Sequence, residues 1–178
     1  MGKIDRMMET ARQYRPMKYA RNFTARDFQL MIRLEAGADD RDVHAVSSGE
    51  IVVVPSPIGK IVCVTCGKSR DCYGDKAMNT GHFIGSRSAS VLFEEDNVAP
   101  QCGYCNKYLN GNQEMFASWI RQVRGVECHD RLLSLRSEKR TFALEELVEM
   151  RIEYKARCKE AKATIDFFAG AGNSKAND

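Results

Sequence analysis

The segments Cys63-Val64-Thr65-Cys66 and Cys102-Gly103-Tyr104-Cys105 decide how this chain is read. Each places two cysteines with two residues between them, and 35 residues separate the pairs. That inner spacing lets both thiolates of a tight knuckle face one tetrahedral ion, and Gly67 after the first pair allows the backbone to turn back. Four thiolates fill a Zn²⁺ shell, so the sequence predicts a closed structural zinc site that contributes folding energy. The bland reading, four buried free cysteines, leaves the matched spacing unexplained. Cys72, Cys128 and Cys158 have no partner spacing: Cys128 and Cys158 read as packing residues in helical patterns, and Cys72 as a substitute ligand that the two complete pairs make unnecessary.

Working outward, Ile51-Val52-Val53-Val54 and Ile61-Val62 are β-branched runs with Pro55, Pro57 and Gly59 between them. They predict a hairpin whose second strand enters Cys63. Further strands are expected at His82-Phe83-Ile84 and Val91-Leu92-Phe93, with a loop over 85–88. Towards the N-terminus, Thr24 resembles a helix cap with Asp27 three residues on, Phe28, Met31 and Ile32 fall on one face, and Gly37 ends the pattern. The stretch 37–50 is acidic and apolar-poor and reads as a linker. After the second knuckle, Met115, Phe116, Trp119, Ile120 and Val123 form a helical stripe punctuated by Gly125. A short helix carries Leu132, Leu133 and Leu135. Thr141 is placed to cap a long final helix with Leu144, Leu147, Val148, Ile152 and Ala156 on its face. The tail 170–178 is small and polar and reads as disordered.

The 178 residues carry a net charge of only +3, and that number hides a segregation. Residues 1–33 sum to +5, residues 34–50 to −4, residues 51–140 to +3 and the remainder to −1. The basic leading segment suits a polyanionic partner, although a solvated helix face explains it equally well. No apolar run approaches the roughly 18 residues of a membrane span, and the N-terminus has no apolar signal core. A cytoplasmic chain is expected. The domain reading is a basic helical arm (1–36), an acidic linker (37–50), a zinc-bound domain with C-terminal helices (51–169) and the tail.

Other residues beside the knuckles are not needed by a plain zinc ribbon. Gly81-His82-Phe83-Ile84, Glu95-Asp96-Asn97-Val98, Gln101-Cys102 with Cys105-Asn106, and Asn110-Gly111-Asn112 follow one another. Together with the Trp119 helix and Glu153-Tyr154-Lys155-Ala156-Arg157, this succession resembles the NinG (Rap) family of lambdoid phage recombination endonucleases, over about 100 residues. That family belongs to the HNH, or ββα-metal, superfamily. The resemblance implies an α+β fold: a small zinc-clamped ββα-metal core with a helical N-terminal arm and a helical C-terminal half. It implies hydrolysis of phosphodiester bonds in branched DNA such as Holliday junctions or D-loops, with Mg²⁺ or Mn²⁺ at a catalytic site beside the structural Zn²⁺. By the resemblance, His82 is the general base, Asn97 the central Asn that fixes the loop, and Asn106 a ligand of the catalytic metal. Asn112 and Glu114 are further candidate ligands. Many HNH enzymes carry an Asp ligand directly before the strand His, where this chain has Gly81, so Asn79 and Asp75 are candidate substitutes, or a carboxylate such as Glu94 or Glu95 is needed. Arg87 and Lys107 flank the site and could grip phosphate. Tyr104 could pack or stack on a base, and packing is the favoured reading.

The partners this implies are branched DNA or DNA containing single-stranded segments, and phage or host recombination proteins. A homodimer would suit paired nicking of a near-twofold junction. The competing reading is a non-catalytic zinc-knuckle module that binds DNA or protein.

Overall fold

The structure is a computed structural model and describes residues 16–85 and 89–173. Arg87, the first residues of the basic arm and the end of the tail lie outside the described residues.

Helix α1 (Pro16–Gly37) buries Ala20, Thr24, Phe28, Met31 and Leu34, one residue per turn along a single face. Thr24, expected as a cap, sits two turns inside it. Its hydroxyl lies 2.8 Å from the Ala20 carbonyl and 3.0 Å from the Leu147 carbonyl, so the side chain satisfies itself on the helix and on a neighbour. Gly37 does end the helix. A Cβ there would meet Cys72 Cβ and Sγ at 2.6 and 2.7 Å, so only glycine lets the helix end approach the buried cysteine.

The stretch expected as an acidic linker instead holds strand β1 (Arg41–Ser47). It pairs along its whole length with β2 (Glu50–Ser56) through the two-residue turn Ser48-Gly49, both at positive φ. The acidic side chains stand outward while Ala45 and Val46 are completely buried, so composition masked a half-buried strand. Ile51–Val54 therefore pairs with β1 and not with Ile61-Val62. The latter belongs to β3 (Lys60–Val62), which pairs with β4 (Ser69–Asp71) across the first knuckle. Strand β5 (Asn79–His82) pairs antiparallel with β6 (Val98–Gln101). The expected strand at 91–93 is absent: Ala89–Val91 forms a 3-10 turn, and Leu92 and Phe93 follow it as a turn.

A π-helical turn (Tyr104–Tyr108) follows the second knuckle. Helix α2 (Gln113–Trp119) then continues as a second π turn (Ile120–Arg124), and α3 (Val126–Arg136) starts after Gly125, whose φ is +98°. Phe116, Trp119, Ile120 and Leu132 pack there with Phe83, Ile84, Val91, Ala99, Val46 and Val64. Helix α4 (Leu144–Asn173) begins after Ala143, whose carbonyl accepts from Leu147 N–H, and so lies beyond Thr141. Its buried positions Leu147, Tyr154, Ala161 and Ile165, with half-buried Arg151 and Cys158 between them, alternate steps of four and three. That seam lies parallel along α1, as the contacts Thr24–Leu147, Asp27–Arg151 and Glu35–Arg157 show. Ala156, assigned to the face, is exposed. The fold is thus mixed helix and small two-stranded sheets, with α1 and α4 closed over the knuckle region.

Candidate functional site

The two knuckles converge. The Sγ atoms of Cys63, Cys66, Cys102 and Cys105 all lie within 4.8 Å of one another. Four thiolates at Zn–S bond length define a tetrahedron with edges of about 3.8 Å, and Cys66 Sγ is 3.7 Å from Cys102 Sγ. The donor set therefore fits a metal ion such as zinc. The first knuckle is closed by Cys66 N–H and Gly67 N–H donating to the Cys63 carbonyl, with Gly67 at φ +71°. Burial pushes the Cys63 and Cys66 thiols up from the ordinary range. For Cys102 burial acts in the same direction, but hydrogen bonds from the Cys105 backbone and the neighbouring thiols outweigh it and hold the thiol low.

A polar scaffold holds the two knuckles in register. Gln101 is fully buried, and its Nε2 donates to Thr65 Oγ1 at 3.1 Å and to the Gly111 carbonyl at 2.7 Å. Thr65 Oγ1 in turn lies 3.4 Å from Cys63 Sγ. Asn110, Gly111 and Asn112 all have φ between +45° and +87°, a left-handed run that asparagine and glycine tolerate best. This run points the Gly111 carbonyl at Gln101 and its N–H at the Cys105 and Asn106 carbonyls. Asn112 donates from Nδ2 to the Thr65 carbonyl at 3.2 Å and to Cys105 Sγ at 3.9 Å. Sequence reading did not assign Gln101 and Thr65; a glutamine directly before a knuckle cysteine on a strand was the available signal.

Gly81 has a local cause. A Cβ at that position would overlap Gln101 Oε1. An aspartate there would have to displace the buried glutamine that joins the knuckles, so the side chain that many HNH enzymes carry has no room in this packing.

His82 ends β5, and Asn97 ends the connection to β6. Asn97 is fully buried. Its Oδ1 accepts from Ile84 N–H at 2.8 Å, and its Nδ2 donates to the Ile84 and Val91 carbonyls at 3.0 Å each. Its own carbonyl accepts from Phe83 N–H at 2.8 Å. One side chain thereby pins both ends of the loop that leaves His82. The His82 ring is partly buried, which lowers its pKa from the ordinary value, while a backbone hydrogen bond at Leu92 works the other way. Its Nε2 is buried without a hydrogen-bond partner among the described residues. The start of α2 approaches this strand end, with Gln113 Nε2 3.5 Å from the His82 carbonyl. His129, read as a bystander, packs its ring 5.3 Å from that of Phe83.

The remaining candidates are placed as follows. Asn106 is half-buried in the π turn, with its N–H on the Cys102 carbonyl at 2.9 Å. Lys107 and Glu114 are exposed. Asn79 sits at the knuckle end of β5, opposite Gln101, and Asp75 is exposed beyond it. Three residues of strand, about 10 Å, separate Asn79 from His82, and an odd offset sends their side chains to opposite faces. The fold does not bring those two together. Glu94, Glu95 and Asp96 are committed elsewhere. Arg131 holds Glu94 and Asp96, Arg124 holds Asp96, and Arg157 bridges Glu95 to Glu35 of α1.

Among the described residues, no helix is long and apolar enough to cross a membrane. Compared with known proteins, residues 59–164 match the family model described as Bacteriophage Lambda NinG protein, which is more than half of the chain. The match takes in both knuckles, β5, β6 and most of α4. No curated protein and no solved structure matches.

Proposed function

Since the chain belongs to the bacteriophage lambda NinG family, we propose that it is a metal-dependent, structure-selective DNA endonuclease that acts on branched recombination intermediates. The observation that supports this most is the placement of His82: a strand-end imidazole whose pKa burial lowers, beside a backbone segment that Asn97 holds at Phe83 and Ile84. A lowered pKa suits an imidazole to general-base work, and Nε2, buried and unpartnered among the described residues, is the ring nitrogen that would take the proton once water and DNA reach it. Asn97 keeps the histidine's strand end in place through Phe83 and Ile84. Asn106 and the residues opening α2, Asn112 and Glu114, are the candidates to hold a divalent ion such as Mg²⁺ or Mn²⁺. When bound, such an ion supplies charge stabilisation to the phosphorane and the leaving oxygen. The zinc-type cluster serves as the clamp that fixes the π turn carrying Asn106. On this reading the chain works in the cytoplasm of the phage host, with DNA and recombination proteins as partners.

The test is a nicking assay on four-way junction and linear duplex DNA with added Mg²⁺. Wild type should nick the junction, and His82→Ala should lose at least about a hundredfold, the low end of what a positioned base contributes. Equal cutting by the two proteins would refute the mechanism.

A specific observation also favours the non-catalytic zinc-knuckle module. Gly81 leaves no room for the acidic ligand, and Glu94, Glu95 and Asp96 are all paired with arginines. A protein that shifts junction DNA in a gel and never cuts it under any divalent ion would decide for that module.

A further inference from the structure

The π turn between Cys102 and Asn112 carries two tyrosines that serve no packing purpose. Tyr104 is 59% exposed and Tyr108 79% exposed, and Leu109 beside them is 42% exposed. Tyr104 was expected to pack, and it does not. The two rings stand four residues apart on one face of the turn, with centroids 6.0 Å apart and planes inclined by 28°. Neither hydroxyl has a hydrogen-bond partner among the described residues. An exposed pair of near-parallel aromatic rings normally costs free energy in water, because apolar area stays uncovered. The mount beneath them is rigid: Cys105, buried between the two tyrosines, is a cluster ligand, and Leu109 N–H and Gly111 N–H close the turn onto the Tyr104, Cys105 and Asn106 carbonyls.

The two knuckle segments themselves carry only basic charge. Lys107 lies in the same turn, and Lys68 and Arg70 leave the first knuckle, all three exposed. Residues 63–70 and 102–113 contain no acidic side chain. Aromatic rings exposed to solvent on a turn that also carries a lysine match a polyanion that bears flat apolar groups. Unpaired nucleobases on a phosphate backbone have that chemistry, whereas bases inside a duplex have their faces already covered.

We infer that Tyr104 and Tyr108 form a stacking platform for unpaired bases of a DNA strand, with Lys107, Lys68 and Arg70 gripping its phosphates. This rests on the proposed DNA function and deepens it: the platform supplies the preference for DNA with single-stranded or distorted segments that composition and fold leave unassigned. Because Asn106 lies in the same turn, a base stacked there would hold its strand next to the candidate cleavage site.

The experiment measures binding of the full-length, zinc-loaded chain to a fluorescently labelled oligothymidylate and to a duplex of equal length. Tyr104→Leu/Tyr108→Leu should weaken single-strand binding by about tenfold or more, the range found when stacked aromatics are removed. Duplex binding should change by less than about threefold, and Tyr104→Phe/Tyr108→Phe should bind like wild type because the rings remain. Zinc content and circular dichroism establish that the leucine variant folds. If it does not, ring-carbon NMR of wild type decides: Tyr104 and Tyr108 signals should move on adding oligothymidylate and stay put on adding duplex. Wild-type and leucine proteins that bind single strands equally, or tyrosine signals that do not move, would overturn the platform and leave the DNA function standing; the pair would then be a protein-contact surface. A wild-type chain that binds neither DNA would overturn both.

Discussion

Asn97→Ala isolates the loop clamp. The wild-type side chain is wholly buried and serves three backbone groups: Ile84 N–H, the Ile84 carbonyl and the Val91 carbonyl. The three are not equal. The Val91 carbonyl also receives Glu94 N–H at 3.4 Å, so it keeps a partner after the substitution. Both groups of Ile84, itself 7% exposed, lose their partner at once. Stranding a buried donor or acceptor costs about 1–3 kcal/mol each. Two stranded groups, plus the small cavity left by the amide, give about 3–5 kcal/mol. With a urea slope of about 2 kcal/mol/M for a domain of this size, the unfolding midpoint should fall by about 1.5–2.5 M at unchanged slope. Native-state hydrogen exchange supplies the residue-level readout, since Ile84 N–H should lose protection before any amide of α1 or α4. Asn97→Asp keeps only the acceptor for Ile84 N–H and buries a charge, so it should fare no better. A midpoint within about 0.3 M of wild type, with Ile84 still protected, would show that the loop is held by its apolar contacts and not by Asn97.

Three further outcomes follow from the same geometry. Cys102→Ser should bind less than half of the wild-type zinc by atomic absorption and unfold at a markedly lower temperature, because the cluster links two segments 35 residues apart; full metal content with an unchanged melt would count against the structural site. His82 has its folded pKa below the ordinary value of 6.5, so the unfolded chain binds the extra proton first as pH falls. Stability should be flat above about pH 7 and decline below about pH 6.5 towards the folded pKa. His82→Phe should remove that part of the acid slope in urea titrations, and an identical slope would mean the imidazole is not desolvated. Gly81→Ala should destabilise by at least about 1–3 kcal/mol, the range for overpacking, because its methyl group meets a buried, hydrogen-bonded glutamine. Gly81→Ala/Gln101→Ala should recover part of that loss in thermal melts, and the absence of any recovery would exclude Gln101 as the obstacle.

Much of the candidate site was legible because its signals are local. Two residues between cysteines and a following glycine are constraints of a single turn, and the structure closes both knuckles as that chemistry requires. The left-handed Asn-Gly-Asn run has a local cause too, yet in the sequence Asn112 read as a candidate ligand, and its backbone state came from the fold. Helix α4 and the Trp119 helix were readable from their apolar spacing. Strand pairing was not readable in the same way. Ile51–Val54 was matched with the next apolar run, Ile61-Val62, and pairs instead with β1, whose acidic residues disguised a strand with only two fully buried positions. The Val91-Leu92-Phe93 run looked like a strand because it is apolar, but it forms turns whose Val91 carbonyl is held by Asn97 and whose Val91 packs in the core.

The residues by themselves determined the paired cysteine knuckles, the principal helices and the family, since each depends on contacts a few residues apart or on a linear succession of motifs. Only the tertiary structure decided which residues are free to act. It removed Glu94, Glu95 and Asp96 by pairing them with arginines up to 62 positions away. It turned Gln101 from an unremarked neighbour into the joint between knuckles, and it left Tyr104 and Tyr108 uncovered. Burial and partnership are properties of what surrounds a side chain, and those surroundings come from segments that the sequence separates and the fold brings together.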